Sequence, residues 1–231
     1  NSCGFTSSGA VPLFHALASG APNLTHIELK DNQIGDQGFA QFSRISSGSF
    51  VELREMVLHY NGIGDVGVLK FCKRLTPSTL RKLRKLHLSK NDIGPPGFTA
   101  LAVAFVCGAL SSIEGLYLCD NPLGDEGLRA FARQIKGNVL RDLRSLYISR
   151  TGVSDSGIIA LAERLSKRGL PSLRMLKYEG NCVTKAGQQM IHDVHSDRVK
   201  RAAIEYAESP DQRPTFEWTG ETHGTKPEVK R

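Results

Sequence analysis

The chain has 231 residues, of which 40% are hydrophobic and 23% charged, and a formal net charge of +7, the make-up of an ordinary folded domain rather than a disordered or fibrous chain. The length admits one large domain or two small ones, and no apolar run approaches the ~20 residues that a membrane-spanning helix needs. Five cysteines, an odd count without a CxxC pair, make poor material for a disulfide framework and point to a reducing, cytoplasmic setting, against which stands one glycosylation sequon, Asn23-Leu24-Thr25.

The opening residues lack an initiator methionine and do not read as a signal peptide, so the chain is expected to be a fragment or a processed product that starts inside a repeat. A half-unit, "CGFTSSGAVPLFHAL", comes first. Then follow "LTHIELKDNQIGDQGFAQF" from Leu24, "LREMVLHYNGIGDVGVLKF" from Leu53 and "LRKLHLSKNDIGPPGFTAL" from Leu83. The series continues with "IEGLYLCDNPLGDEGLRAF" from Ile113, "LRSLYISRTGVSDSGIIAL" from Leu143 and "LRMLKYEGNCVTKAGQQMI" from Leu173. Their glycines fall at Gly9, Gly38, Gly67, Gly97, Gly127, Gly157 and Gly187, a period of 29 and then 30.

Within each copy the L-x-L segment predicts a short strand whose leucines point inward, so that Leu116 and Leu118 are core while Tyr117 and Cys119 face out. The chain must then bend away. Asn32, Asn61, Asn91, Asn121 and Asn181 recur at that bend, where a side-chain amide can satisfy backbone groups that would be costly to bury unpaired. Cys3 and Thr151 fill the slot in the other two copies. Asp36, Asp65, Asp125 and Asp155 recur four residues later, each expected to cap the helix it precedes, and Pro95 takes that place in the third copy, where it suits a first helical turn. Phe98, Leu101 and Phe105 mark one helix face.

The pattern L-x-x-L-x-L-x-x-N-x-L-x-x-x-G-x-x-x-L, held over residues 3 to 195, resembles the leucine-rich repeat family in its ribonuclease-inhibitor-like class. The resemblance implies an α/β fold: a right-handed solenoid of about six and a half repeats, a horseshoe arc with a parallel sheet on the concave face and helices on the convex face. The solenoid is expected over 1–195. A capping helix is expected over 196–209, with Ser196 as N-cap and Val199, Ala203 and Tyr206 along one face. A polar tail over 210–231 is expected to be loosely ordered unless Phe216 and Trp218 anchor it.

Repeat scaffolds use the concave face as their default contact surface. The outward column Val57, His87, Tyr117, Tyr147 predicts a continuous ring strip, because neighbouring strands lie ~4.8 Å apart. His59, Tyr60, His87, Lys90, Tyr117, Asp120, Tyr147 and Arg150 are therefore the candidate partner-binding residues of a non-catalytic protein scaffold. Charges on this face balance. The excess lies on the loops entering the strands, where Arg54, Arg84, Arg144 and Arg174 share one slot and Arg81 lies nearby. Such an edge would suit an anionic partner or RNA, the second reading.

Ribonuclease inhibition is not expected, since the inhibitors that name the class are acidic and cysteine-rich. Some family members activate small GTPases, a third reading, for which Arg150 beside the atypical Thr151 is the candidate, although residues 196–231 hold seven bases and seven acids rather than an acidic tail. No phosphate loop, nucleophile elbow or zinc-ligand cluster appears. His192 and His195 have metal-like spacing without a carboxylate or thiol pattern, and Cys119, His87 and Asp120 lie in different columns with nothing to orient a base, so no enzyme, metal or cofactor is expected. No oligomeric state follows from the sequence.

Overall fold

The computed structural model describes residues 3–45, 49–137, 139–205 and 215–220. Each L-x-L segment is a three-residue strand: β1 (His26–Glu28), β2 (Glu55–Val57), β3 (Lys85–His87), β4 (Gly115–Tyr117), β5 (Ser145–Tyr147) and β6 (Met175–Lys177). Between and around them run α1 (Ser7–Gly20), α2 (Gly35–Ile45), α3 (Asp65–Cys72), α4 (Pro95–Val106), α5 (Gly124–Gln134), α6 (Asp155–Ser166) and α7 (Lys185–Glu205), and β7 (Glu217–Thr219) follows. The strands form one parallel sheet in sequence order, and each helix packs on the next. Paired strands lie ~4.8 Å apart while packed helices need 8–10 Å, so the stack bends with the sheet on its inner side.

The core lies between these two layers. Met56, Leu86, Leu116, Leu146 and Leu176 are in register along the sheet and fully enclosed. Behind them Phe39 stacks on Phe71 (centroids 4.4 Å apart) and Phe98 on Phe131 (4.9 Å), and the helix face Phe98, Leu101, Phe105 is buried as its spacing predicts. No single coil could enclose these faces alone, which is why the phrase recurs.

The asparagine slot does more than close its own bend. Asn91 Nδ2 donates to Leu88 O of its own coil (3.0 Å) and to Leu58 O of the preceding one (2.9 Å), while its Oδ1 accepts from Asn61 N and Ile63 N (both 3.0 Å). Asn61, Asn121 and Asn181 repeat the arrangement, all buried. At Thr151 the hydroxyl reaches only Ile148 O within its own coil and Asn181 Oδ1 of the next (2.8 and 3.2 Å).

The aspartates do not cap the helices they begin, contrary to expectation. Each reaches along the array to the next one. Asp65 Oδ1 accepts from Gly94 N and Gly97 N (both 2.8 Å), at the start of α4, and Asp125 Oδ1 accepts from Ser154 N (2.7 Å) and Gly157 N (3.0 Å), at the start of α6. Asp36 and Asp155 do the same for Gly64 N and Thr184 N. The reason is geometric: Gly64 and Gly94 are N-caps without a side chain, and Pro95 and Pro96 carry no N–H, so Gly97 offers the first free amide of α4. Burial alone would raise the carboxyl of Asp125, and the Ser154 and Gly157 donors outweigh it and hold the group below the ordinary range.

This contact also explains the in-phase glycine. A Cβ on Gly97 would stand 2.6 Å from Asp65 Oδ1 and 3.2 Å from Asp65 Cα, and a Cβ on Gly157 would stand 2.6 Å from Asp125 Oδ1. Gly127 faces the one coil with proline in the aspartate slot, and its nearest neighbours would be Pro95 Cα at 3.2 Å and Phe98 Cδ1 at 3.3 Å.

At the C-terminal end the break expected at Ser196 is absent: α7 runs through it, and the Ser196 hydroxyl faces His192 Nε2 at 3.5 Å. Val199 is exposed, and the buried stripe is Ile191, Val194, Arg198 and Ala202, a helical spacing shifted from the expected one. Tyr206 and the Ala203 side chain lie outside the described residues, as do 206–214 and 221–231 of the expected cap and tail. Residues 217–219 of that tail are not loose. They add β7 to the sheet, pairing Leu176 with Trp218, and Trp218 packs on His195 (5.1 Å) and under the Arg198 guanidinium (5.7 Å). Arg198 is buried and donates to the carbonyls of Leu170, Leu173, Leu165 and Gly169 (3.0, 3.4, 3.4 and 2.5 Å), closing the carbonyl end of α6. Burial and the nearby Arg201 pull its guanidinium down to about 10.

Two outcomes follow from these contacts. Gly97→Ala gains ~1 kcal/mol in helix propensity but displaces the Asp65 cap, so it should lower the unfolding free energy from urea titration by a net ~1–2 kcal/mol, whereas Gly127→Ala should be near neutral; in the Asp65→Ala background the Gly97→Ala cost should shrink. Arg198→Met removes the guanidinium from the carbonyls of Leu170, Leu173, Leu165 and Gly169, of which Leu165 O and Leu170 O keep a backbone donor, and should cost ~2–4 kcal/mol, read in the same unfolding experiment.

Candidate functional site

The outer side of the sheet carries the third residue of each strand in one register line: Glu28, Val57, His87, Tyr117, Tyr147, Lys177 and Thr219. The rings touch. His87 stacks on Tyr117 with centroids 4.1 Å apart and planes 2° from parallel, and Tyr117 meets Tyr147 edge-on at 4.8 Å. His59, two residues beyond Val57, packs edge-on against His87 at 5.3 Å, and Lys177 Nζ lies 5.5 Å from the Tyr147 ring centre. All four aromatic side chains are half-buried; His87 and Tyr117 have a ring on either side. Gly115 sits beneath Tyr117: a Cβ there would lie 2.8 Å from Tyr117 Cε2, so the glycine lets the ring lie back along the sheet.

Glu55 is the polar centre at one end of the strip. Its carboxylate accepts from His87 Nε2 at 3.0 Å and lies 3.6 Å from both His26 Nε2 and Lys85 Nζ. Burial lowers the imidazole of His87 below its ordinary range, helped by His59 and opposed by Glu55, and burial likewise lowers His59. Burial pushes the Tyr117 and Tyr147 hydroxyls up, so both are neutral donors.

One rim is formed by the residue before the asparagine slot. Asp31, Tyr60, Lys90, Asp120 and Arg150 all have φ between 53° and 56°, the left-handed region, and Gly180 follows at 68°. That backbone turns each side chain off the strand line and onto the edge. Lys90 Nζ donates to Tyr60 Oη at 2.8 Å, and Arg150 grips Asp120 through two bonds of 2.5 and 2.8 Å. The Arg150 bond holds the Asp120 carboxyl below its ordinary range. Tyr60, Lys90, Asp120 and Arg150 line one shallow depression with Gly62 and Asp92. The structure thus gathers the eight expected residues into two groups: the ring strip His59, His87, Tyr117, Tyr147 and the rim Tyr60, Lys90, Asp120, Arg150.

The opposite edge is less uniform than its arginines suggest. Arg54, Arg84, Arg144 and Arg174 are exposed in one line, but Glu114 stands between the second and third, 3.1 Å from Arg84 and 3.9 Å from Arg144. Arg81 is exposed three residues before Arg84 in the same loop, and its carbonyl accepts from Ser112 Oγ. Sequence reasoning singled out neither Glu55, with its three basic neighbours, nor Gly115. Both were open to it, since the aligned copies put Glu55 level with Lys85 and make Gly115 the only glycine of its column. Among the described residues no group of three histidine, cysteine or acidic side chains is arranged to hold a metal, and no helix is long and apolar enough to cross a membrane.

A curved parallel sheet backed by one helix per 29- or 30-residue unit is a repeat solenoid. The leucine-rich repeat family profile matches residues 20–40, 53–72, 79–102, 110–132 and 139–162, and the chain belongs to that family. No curated protein matches it in sequence. Solved structures it is similar to include the actin-binding site 2 of leiomodin-1, at 12% identity over 86% of this chain and 94% of that one with a TM-score of 0.49. The C-terminal domain of a Caenorhabditis elegans tropomodulin is 10% identical over 89% and 100%, with a TM-score of 0.48. An internalin from Listeria monocytogenes is 17% identical over 78% and 48%, with a TM-score of 0.42.

The lowered imidazoles fix a pH dependence. As pH falls through the ordinary imidazole value of about 6.5, unfolded His59 and His87 bind protons before the folded ones do, so stability is full above that value and lost below it. The urea midpoint should fall between about pH 7 and pH 5, and His87→Phe, which keeps the ring on Tyr117, should flatten that fall.

Proposed function

We propose that the chain is a non-catalytic interaction scaffold that takes a protein partner on the outer face of its sheet. The observation that supports this is the ring strip. Small polar residues at these solvent-facing positions would close the solenoid as well, yet three rings stand in one register line with His59 packed against its end, each ring touching the next. Rings already held by their neighbours lose little freedom on binding, and tyrosine joins apolar area to a polar tip, the combination enriched at binding hot spots. The rim offers both signs of charge, Lys90 and Arg150 beside Asp120, which suits a partner of mixed polarity rather than a uniformly charged one.

The nucleic-acid reading rests on the arginine edge, where Glu114 interrupts the basic line at its centre. The GTPase reading rests on Arg150, whose guanidinium is engaged by Asp120 on two bonds and would have to leave them to reach a phosphate. The ring strip carries neither objection.

The test is affinity capture with the intact protein followed by mass spectrometry, run beside Tyr117→Ala/Tyr147→Ala. The double variant should lose the captured protein, with an affinity drop of about 30-fold or more per hot-spot ring and an unfolding transition that remains cooperative. Retention of the same partner at undiminished affinity would sink the assignment to this face.

A further inference from the structure

The helical face carries a second feature that the sheet face does not explain. A groove between α2 and α3 is lined by Gln37, Gln41 and Arg44 on one side and Lys70, Lys73 and Arg74 on the other. All four cations are exposed, and among the described residues no carboxylate stands within ion-pair distance of any of them. Elsewhere several cations are partnered: Lys82 with Glu52, Arg84 with Glu114, Arg150 with Asp120, Lys177 with Glu217. The acids of the two helices, Asp36 and Asp65, are held at the far ends by the amides of the following coils.

Helix ends account for only part of this charge. Arg44 and Lys70 lie in the last turns of α2 and α3, where each macrodipole supplies roughly half a negative charge. Two such ends offset about one of the four positive charges and leave about three. Like charges gathered in one concavity raise its positive potential, and an anionic group seated between them would lower it.

We propose that this groove docks an acidic peptide segment of a second protein, on the face opposite the sheet. Its shape and lining favour a peptide over a nucleic acid. Adjacent helices packed 8–10 Å apart leave room for one extended chain, not a duplex, and no aromatic side chain lines the groove for bases to stack on. Gln37 and Gln41 can both donate to and accept from a peptide backbone, which the four cations cannot do. Because the site lies across the helical layer from the ring strip, both surfaces can be occupied at once, and the solenoid would bridge two partners.

The experiment is fluorescence anisotropy of a labelled peptide of alternating glutamate and glycine, titrated with the full chain. A glutamine–glycine peptide and a single-stranded oligoribonucleotide of the same charge run in parallel. The acidic peptide should bind, weaken as salt is added, and lose about tenfold or more in affinity with Lys70→Glu/Lys73→Glu, while the glutamine peptide does not bind. The unfolding midpoint of that variant should match the parent's, since both side chains are exposed. Tyr117→Ala/Tyr147→Ala should leave this binding unchanged, which separates the groove from the sheet face. No binding of the acidic peptide, binding unaltered by Lys70→Glu/Lys73→Glu, or tighter binding of the oligoribonucleotide lost in the same variant would each overturn the proposal.

Discussion

Hydrogen bonds from the side chains of one coil to the backbone of its neighbour set the pitch of this molecule. Every coil ends its strand with a bend and starts its helix with amides that the helix cannot satisfy. Buried polar groups of this kind cost about 1–3 kcal/mol each when unpaired. The asparagine at the bend reaches back to the coil before it, and the aspartate at the helix start reaches forward to the coil after it. Hydrophobic stacking alone would tolerate a slipped or tilted coil, because it is not directional. These bonds tolerate neither, so the strands stay in register from β1 to β6.

Register converts a sequence column into a surface. A ring placed at the third strand position of three successive coils must lie about one strand spacing from the next, and the observed centroid separations of 4.1 and 4.8 Å fit that spacing. The contact between rings contributes about 0.5–1.5 kcal/mol per pair and fixes their orientation. The rim arises from the same periodicity by a different device. The left-handed residue before each asparagine turns its side chain sideways, and the backbone cost, about 1–2 kcal/mol at a non-glycine position, is offset by the buried asparagine bonds next to it. A scaffold built this way leaves its outer side chains free to vary, since none of them is asked to hold the fold.

Much of this was legible in the letters. The 29- and 30-residue period, the inward leucines and the ring column follow from counting, because period-2 alternation and a fixed repeat leave no other assignment. What counting could not give was direction between coils. Asp65 opens α3, so local capping was the natural expectation; only the stacked coils show that Gly94 N and Gly97 N are its partners. The glycine at position 97 is understood for the same reason, as space for a carboxylate 32 residues away in sequence. β7 escaped because "EWT" lacks the L-x-L spelling. It joins by pairing with β6 and by the packing of Trp218, neither of which needs a repeat motif. Glu114 was visible in the aligned copies, and its effect on the arginine line becomes plain only when Arg84 and Arg144 close on it from both sides.

The distribution of charge then separates the two layers. On the sheet side positive groups sit beside negative ones: Glu55 is surrounded by His26, Lys85 and His87, and Asp120 is clasped by Arg150. A face neutralised internally exerts little long-range pull, so recognition there depends on the shape and chemistry of the rings at contact. The groove between α2 and α3 keeps its four cations uncompensated among the described residues, so its field extends into solvent and acts before contact. Short-range recognition by rings on one layer and longer-range attraction on the other differ in their dependence on salt. A scaffold carrying both would respond to ionic strength on one face while the other held.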